Sequence, residues 1–212
     1  MMSLTFNRVA PFYEFGEKLF FGSLLDSSRT FFKEKFKHSR SILLLGEGRG
    51  SFLHQLLETN QLCDVTIVDS SSAMIRYQKS RIAKENLNRV CFKCMALEDF
   101  ASTKEFDLIC SFFFWDCFVS QQIDYLVPKC SHHLKKDGFW INSDFQDLKT
   151  FSNGFNYFKV RLMYMFFNFT TGIHAWRVEP FQKYAEGNGL RSLEIKEIEK
   201  NYIYTELFQK LI

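Results

Sequence analysis

The chain has 212 residues, 46% of them hydrophobic and 24% charged, with a formal net charge of +3. That length carries one domain, at most with a small elaboration, and can bury a full core. The charge is too small to argue for a nucleic-acid partner, and no block of like charges occurs. The six cysteines, Cys63, Cys91, Cys94, Cys110, Cys117 and Cys130, mostly sit inside apolar runs. They read as free thiols of a reducing compartment, the cytoplasm, and not as a disulfide framework. Cys91 and Cys94 form a lone CxxC without the second pair a zinc site needs, so no metal is expected. The 26 phenylalanines are far above ordinary usage and call for aromatic surface somewhere useful.

The opening residues, Met1 to Arg8, lack the apolar core of a secretory leader. The longest apolar stretch, Leu162 to Phe169, falls short of the ~18–20 residues a membrane-spanning helix needs. Residues 9–36 alternate apolar and charged at helical spacing, with Gly16 and Gly22 as breaks, and predict one or two helices. A strand follows over 41–45. It runs into Gly46-Glu47-Gly48-Arg49-Gly50, where the missing Cβ atoms let a ligand press against the backbone. A helix over 50–58 carries Phe52, Leu53, Leu56 and Leu57. Strand two, 64–68, ends in Asp69, where an acidic residue meets ribose hydroxyls in a parallel α/β sheet.

Ser70, Ser71 and Ser72 are candidate N-caps of a helix reaching about residue 84, with Met74, Ile75 and Ile82 facing in. Further strands are expected at 89–94, 106–112 and 139–144. A helix over 119–134 has a basic last turn and is stopped by Gly138. Strands separated by helices argue for a doubly wound parallel sheet. The tail differs: after a short helix near 180–187, strands at 193–198 and 202–208 follow one another, turned by Lys200-Asn201, as an antiparallel hairpin. A single domain covers 1–212, with a helical cap over 1–38 and an aromatic segment over 147–187.

The order of these features resembles the class I S-adenosylmethionine-dependent methyltransferases. Leu44-Leu45-Gly46-Glu47-Gly48-Arg49-Gly50 is similar to their first motif, Asp69 to their ribose-binding acid, and Phe106-Asp107-Leu108-Ile109 to their fourth motif. Leu134-Lys135-Lys136-Asp137-Gly138 resembles the turn before strand five, and Val9-Ala10-Pro11-Phe12-Tyr13-Glu14 a cofactor-capping segment of the quinone-biosynthesis-like branch. The resemblance implies an α/β, Rossmann-like, seven-stranded methyltransferase sheet, mostly parallel with a C-terminal antiparallel strand and helices on both faces. It implies S-adenosyl-L-methionine as cofactor, held by Tyr13, by Gly46, Glu47, Gly48 and Gly50, by Asp69, Ser70 and Met74, and by Met95, Ala96, Leu97, Ser111 and Phe112. Two positions depart from the family. Leu44 stands where an acid usually braces the loop, with Glu47 as a substitute able to face the methionine ammonium, and Met95 stands where an Asp often reads adenine. A dinucleotide is disfavoured, because its fingerprint spaces the glycines G-x-G-x-x-G and position 51 is Ser.

Methyl transfer from a sulfonium needs alignment and exclusion of water, and a base only where the nucleophile must lose a proton. Asp116 is the first candidate for acceptor contact, or else a loop carboxylate. Asp144 ends strand five and either points into the pocket or caps a helix. Phe113 and Trp115 line the pocket or pack in the core, and His174 borders the pocket or is structural. His132 and His133, near a helix end, read as solvated, and His54 as the exposed side of its helix. Phe151 to Phe169 is apolar nearly all round a helix, which fits a lid over a small apolar or aromatic acceptor (a lipid, quinone or phenolic), or a buried helix. Lys159 and Arg161 then lie beside an anionic membrane surface as a peripheral contact. Ser111-Phe112-Phe113-Phe114 lacks the motif of amino-methylating RNA enzymes. The alternative is a catalytically silent, cofactor-binding protein of the same fold that acts through a partner. Oligomeric state is not legible.

Overall fold

The computed structural model describes residues 24–146, 180–198 and 203–211. Its centre is β1 (Ser41–Leu45), whose five residues are all buried. The alternation of a strand sends Leu43 and Leu45 into one core and Ile42 and Leu44 into the other. A strand apolar on both faces must be covered on both faces. On one side lie α2 (Lys33–His38), α3 (Ser51–Thr59) and α4 (Ser72–Arg81), contributing Phe36, Phe52, Leu56 and Ile75. On the other lie α5 (Ser120–His132) and α6 (Phe181–Glu186), contributing Ile123, Leu126, Val127 and Phe181. A further helix, α1 (Leu24–Thr30), precedes them.

The other strands are β2 (Asp64–Asp69), β3 (Val90–Cys94), β4 (Phe106–Phe112), β5 (Leu134–Phe145), β6 (Leu190–Ile198) and β7 (Ile203–Lys210). They form one seven-stranded sheet in the order β3-β2-β1-β4-β5-β7-β6. Strands β1 to β5 pair in parallel, β7 runs antiparallel between β5 and β6, and the expected terminal hairpin is therefore present. The chain order reverses between β1 and β4. In such sheets the loops leaving those two strands diverge to opposite faces and open a crevice at the C-terminal edge.

Several boundaries differ from expectation for local reasons. Strand five begins at Leu134, and α5 stops at His132, so the Lys135-Lys136-Asp137-Gly138 stretch is a bulge inside β5 and not the end of a helix. Asp137 takes a left-handed φ of 62° there, and a Cβ on Gly138 would lie 2.8 Å from the Lys135 carbonyl oxygen. The helix expected to reach residue 84 breaks after Arg81 and is followed by a 3-10 helix over Lys84–Arg89. Strand six starts three residues earlier than the sequence suggested, at Leu190. His133 is buried edge-on against Phe100 and not solvated, whereas His132 is exposed. Burial, helped by nearby positive charge, pulls the His133 pKa down. Cys91 and Cys94 are exposed on the outer strand β3, while Cys63, Cys110 and Cys130 are buried, and all six cysteines are free.

Three polar clusters stitch the sheet together. At its N-terminal edge the Asp107 carboxylate accepts the backbone N–H of Arg40 and Ser41, both at 2.8 Å, and the Lys135 ammonium at 2.6 Å. Partial burial pushes its pKa up, but these donors outweigh it and hold it below the usual range. At the other edge, Ser111 Oγ accepts the indole N–H of Trp115 (3.1 Å) and of Trp140 (2.9 Å) and donates to Asn142 Oδ1 (2.8 Å). On the opposite face Thr205 donates to the Ser28 carbonyl at 3.0 Å, which leaves Ser143 as the donor in its 2.8 Å contact with Thr205 and ties α1 to the sheet.

The substitution S111A strands two buried indole N–H groups and is expected to cost about 1–3 kcal/mol, measured as a lower urea midpoint at unchanged m value. Glu206, buried on β7 and bonded to Ser192, has its pKa raised from 4.5 to about 7, chiefly by burial. The native state therefore binds this proton more tightly than the unfolded chain. The sign of the linkage follows: stability falls as pH rises through the window from 4.5 to about 7. Removing the charge with E206Q should flatten that slope and stabilise the protein at pH 8, by an amount on the order of 3 kcal/mol at most. Thermal melts of both proteins between pH 5 and pH 8 check it; a parallel pair of curves would refute the assignment.

Candidate functional site

Strand β1 ends abruptly because Gly46, Gly48 and Gly50 all take left-handed φ values, of 61°, 62° and 86°. Residues with a Cβ rarely adopt that region, so the loop folds back at each glycine. The turn is pinned on one side by the Gly46 N–H, which donates to the Val68 carbonyl of β2 at 3.0 Å. On the other side Glu47 is buried, and its Oε1 accepts the Leu53 N–H at 2.9 Å. Gly50 is the N-cap of α3 and has no side chain to satisfy that donor, so Glu47 caps the helix from within the loop. One oxygen of the carboxylate expected to face a ligand's ammonium is thus turned inward.

Two of the glycines are required by the protein's own packing. A Cβ on Gly46 would lie 2.2 Å from Cδ2 of the Phe114 ring, and one on Gly50 would lie 2.9 Å from Cα of Gln78. Phe114 therefore covers the first glycine from the segment that leaves β4. It gets there because Phe113 has a φ of 53°, turning the chain sharply after β4, with its N–H donated to the Ser143 carbonyl at 2.8 Å. Phe112 points the other way, into the α3 core, with its ring 4.7 Å from that of Phe52.

Asp69 stands at the end of β2, beside the loop. Its Oδ1 accepts the Ser71 N–H at 2.9 Å and its Oδ2 accepts Gln78 Nε2 at 3.3 Å. Burial raises its pKa to about 6, against the pull of those two donors. Each carboxylate oxygen keeps a lone pair for a ligand hydroxyl. Of the three serines, Ser71 is the N-cap of α4, accepting the Met74 N–H at 3.2 Å. Met95 follows β3, donates its N–H to the Asp69 carbonyl at 3.1 Å, and packs half-buried against the Trp115 core. Ala96 is half-buried and Leu97 buried beside it.

Asp116 and Asp144 lie close to one another. Asp116 lies in the one-turn 3-10 helix Trp115–Cys117, and Asp144 near the end of β5. Asp144 accepts the Phe145 N–H at 2.9 Å and lies near the backbone of Trp115 and Asp116, in the short helix preceding it in the chain and not the one following. Asp116 accepts the Cys117 thiol at 3.4 Å. Burial, and then the charge of Asp116, push Asp144 well above the carboxylate range, while burial brings Asp116 to about 6. Two carboxyls so close and so buried hold a proton between them more tightly than two solvated ones would. After burial, the charges of Asp116, Asp144 and Asp69 all raise the Cys117 thiol, so the three carboxylates lie within electrostatic reach of it.

The edge thus gathers Gly46, Glu47, Gly48, Gly50, Asp69, Ser70, Met95, Ala96 and Leu97 with Asp116 and Asp144. Tyr13 and His174 lie outside the described residues, as does the aromatic segment 151–169. The side chains of Ser111, Phe112 and Met74 do not face a ligand: Ser111 is consumed by two indoles and Asn142, Phe112 by Phe52, and Met74 is buried against Tyr77 and Ala73. Residues the sequence reading missed are Gln78, Cys117 and Tyr204, and Phe114 stands at the edge where that reading put it. Burial and the Asp144 and Glu206 charges push the Tyr204 phenol far up. Gln78 had a signal: it is the one polar residue in the inward stripe of Met74, Ile75 and Ile82.

Residues 42–138 match the family described as methyltransferase domain. No curated protein sequence matches the chain. Among solved structures, it is similar to the N-methyltransferase NodS of Bradyrhizobium japonicum WM9 in complex with S-adenosyl-L-homocysteine, at 13% identity and a TM-score of 0.64, over 88% of this chain and 87% of that one. It is similar to an O-methyltransferase family protein of Burkholderia thailandensis, at 14% identity and a TM-score of 0.72, over 93% of this chain and 58% of that one. The mycolic acid cyclopropane synthase CmaA1, complexed with S-adenosyl-L-homocysteine and CTAB, matches at 13% identity and a TM-score of 0.68, over 87% of this chain and 82% of that one. Sheet order and glycine loop together give this chain the fold of the class I methyltransferases, and residues 42–138 are the part that matches the methyltransferase-domain family.

Proposed function

We propose that the protein transfers a methyl group from S-adenosyl-L-methionine to a small apolar or aromatic acceptor, of lipid, quinone or phenolic type. The observation that carries this reading is the convergence, at one sheet edge, of the glycine loop, the Asp69 carboxylate and the Asp116–Asp144 pair. The residues present fit such a cofactor. The glycine loop offers backbone for its amino-acid end, Asp69 accepts ribose hydroxyls, and Met95, Ala96 and Leu97 form the wall for adenine. When bound, the cofactor supplies an electrophilic methyl carbon on a sulfonium. Asp116, in its ionised form, accepts a hydrogen bond or proton from the acceptor's nucleophilic atom. Asp144 packs against the Trp115–Cys117 turn that presents Asp116. The aromatic rings of Phe114, Trp115 and Phe118 exclude water from this corner.

The acceptor class rests on the aromatic content of 151–169, which also supports peripheral contact with a membrane surface. Among the described residues no helix is long and apolar enough to cross a membrane. Six free cysteines support a reducing compartment such as the cytoplasm. A second reading, a silent member of the fold that binds cofactor and acts through a partner, is favoured by the Phe114 ring over Gly46 and by Leu44 in place of an acid.

Calorimetry should show wild-type protein binding S-adenosyl-L-methionine and S-adenosyl-L-homocysteine; binding of neither would sink the enzyme reading. The G46A protein, strained at φ 61° and obstructed by Phe114, should lose at least roughly tenfold in that affinity. With an acceptor in hand, the rate should fall as pH drops through about 6, as Asp116 takes up its proton. D116N should lower kcat by about 100-fold at unchanged cofactor affinity and abolish that acid limb. A variant with wild-type kcat would leave Asp116 a structural carboxylate.

A further inference from the structure

Gln78 is completely buried on α4 and lies directly beneath the glycine loop, its Cα 2.9 Å from where a Cβ on Gly50 would be. Its amide nitrogen donates to the Gly48 carbonyl at 2.8 Å and to Asp69 Oδ2 at 3.3 Å. Both partners are acceptors only, so the amide must present its nitrogen to them and its oxygen elsewhere. That oxygen, Oε1, has no hydrogen-bond partner among the described residues although it is shielded from solvent. Buried amides are normally satisfied at both ends, and an apolar residue at this inward position would leave no orphan. The side chain is therefore retained against the interest of the core, and what it gains is the bridge.

We propose that Gln78 is the positioning residue of the cofactor cradle, clamping the glycine loop through the Gly48 carbonyl to the carboxylate of Asp69. The loop and Asp69 come from two separate strand ends, β1 and β2. One side chain joining them sets the span between the backbone that meets the amino-acid end of a ligand and the carboxylate that meets its ribose. The inference rests on the S-adenosylmethionine reading for the identity of that ligand, though not for the clamp itself. It also accounts for Gly50: any larger residue there would push α4, and Gln78 with it, away from Gly48.

The test compares wild type, Q78M and Q78N. Methionine matches the volume without a donor; asparagine keeps the amide but is one methylene too short to reach both partners. Amide hydrogen exchange of ligand-free protein should be at least tenfold faster over Glu47–Ser51 in both variants, with β4 amides unchanged. Affinity for S-adenosyl-L-homocysteine should fall about tenfold in both, while the melting temperature of Q78M stays the same or rises, since the orphan oxygen is gone. A purely structural glutamine predicts the opposite pattern: a lower melting temperature with loop exchange and affinity unmoved, which would overturn the proposal. Should Q78M not fold, Q78N carries the test. Wild-type protein that fails to bind the probe defeats the functional reading alone, and loop exchange in the variants still decides the clamp.

Discussion

The site depends on how closely the exits of β1 and β4 approach one another. Both strands are buried on both faces, and they are adjacent in the sheet although far apart in the chain. The ring of Phe114 rests where a side chain at 46 would be, so no residue larger than glycine fits without moving the segment after β4. That contact brings Asp116 under the loop, because Trp115 is locked behind it: its indole stacks on Phe181 at 5.5 Å and donates to Ser111. The turn after β4 is thus fixed by a core built around two tryptophans, and the geometry of the candidate site comes from packing before it comes from polar contacts.

The second constraint is electrostatic. Asp69, Asp116 and Asp144 are all lifted by burial at the candidate site, and none has an ion-pair partner among the described residues. By contrast, Asp107, at the opposite edge, is held down by an ammonium and two backbone N–H groups. The molecule therefore keeps its satisfied carboxylate where it only has to hold strands together, and its desolvated ones where a ligand would sit. That asymmetry weakens the fold as pH rises and leaves groups near neutrality at the candidate site, the usual exchange of stability for chemistry.

The sheet was legible because β1, β2 and β4 are apolar on both faces and bounded by glycines, serines and acids of recognisable chemistry. The terminal hairpin was legible from two strands without a helix between them. What the sequence hid was direction. The resemblance implied that Ser111 and Phe112, at the end of β4, contact the ligand, yet strand alternation sends one into the tryptophan core and the other onto Phe52. A linear motif gives position along an edge, not the face a side chain takes, when the chain turns sharply at Phe113. The β5 bulge was hidden likewise, since Lys135-Lys136-Asp137-Gly138 has the composition of a helix end, and only pairing with β4 absorbs it into a strand.

Leu44 shows how a departure from a family pattern can be compensated nearby. An acid at that position would brace the loop from the strand, but Leu44 is buried among Phe52, Ile67 and Cys110 in the core under α3. Glu47 supplies the brace from inside the loop, accepting the Leu53 N–H and so fastening the turn to the first turn of α3. A carboxylate at a helix N-terminus is favourable in charge as well as in hydrogen bonding. The other side of the turn is held by Gln78 through Gly48. The loop is therefore gripped from α3 and from α4, one helix through a carboxylate and one through an amide, and needs no anchor from β1 itself.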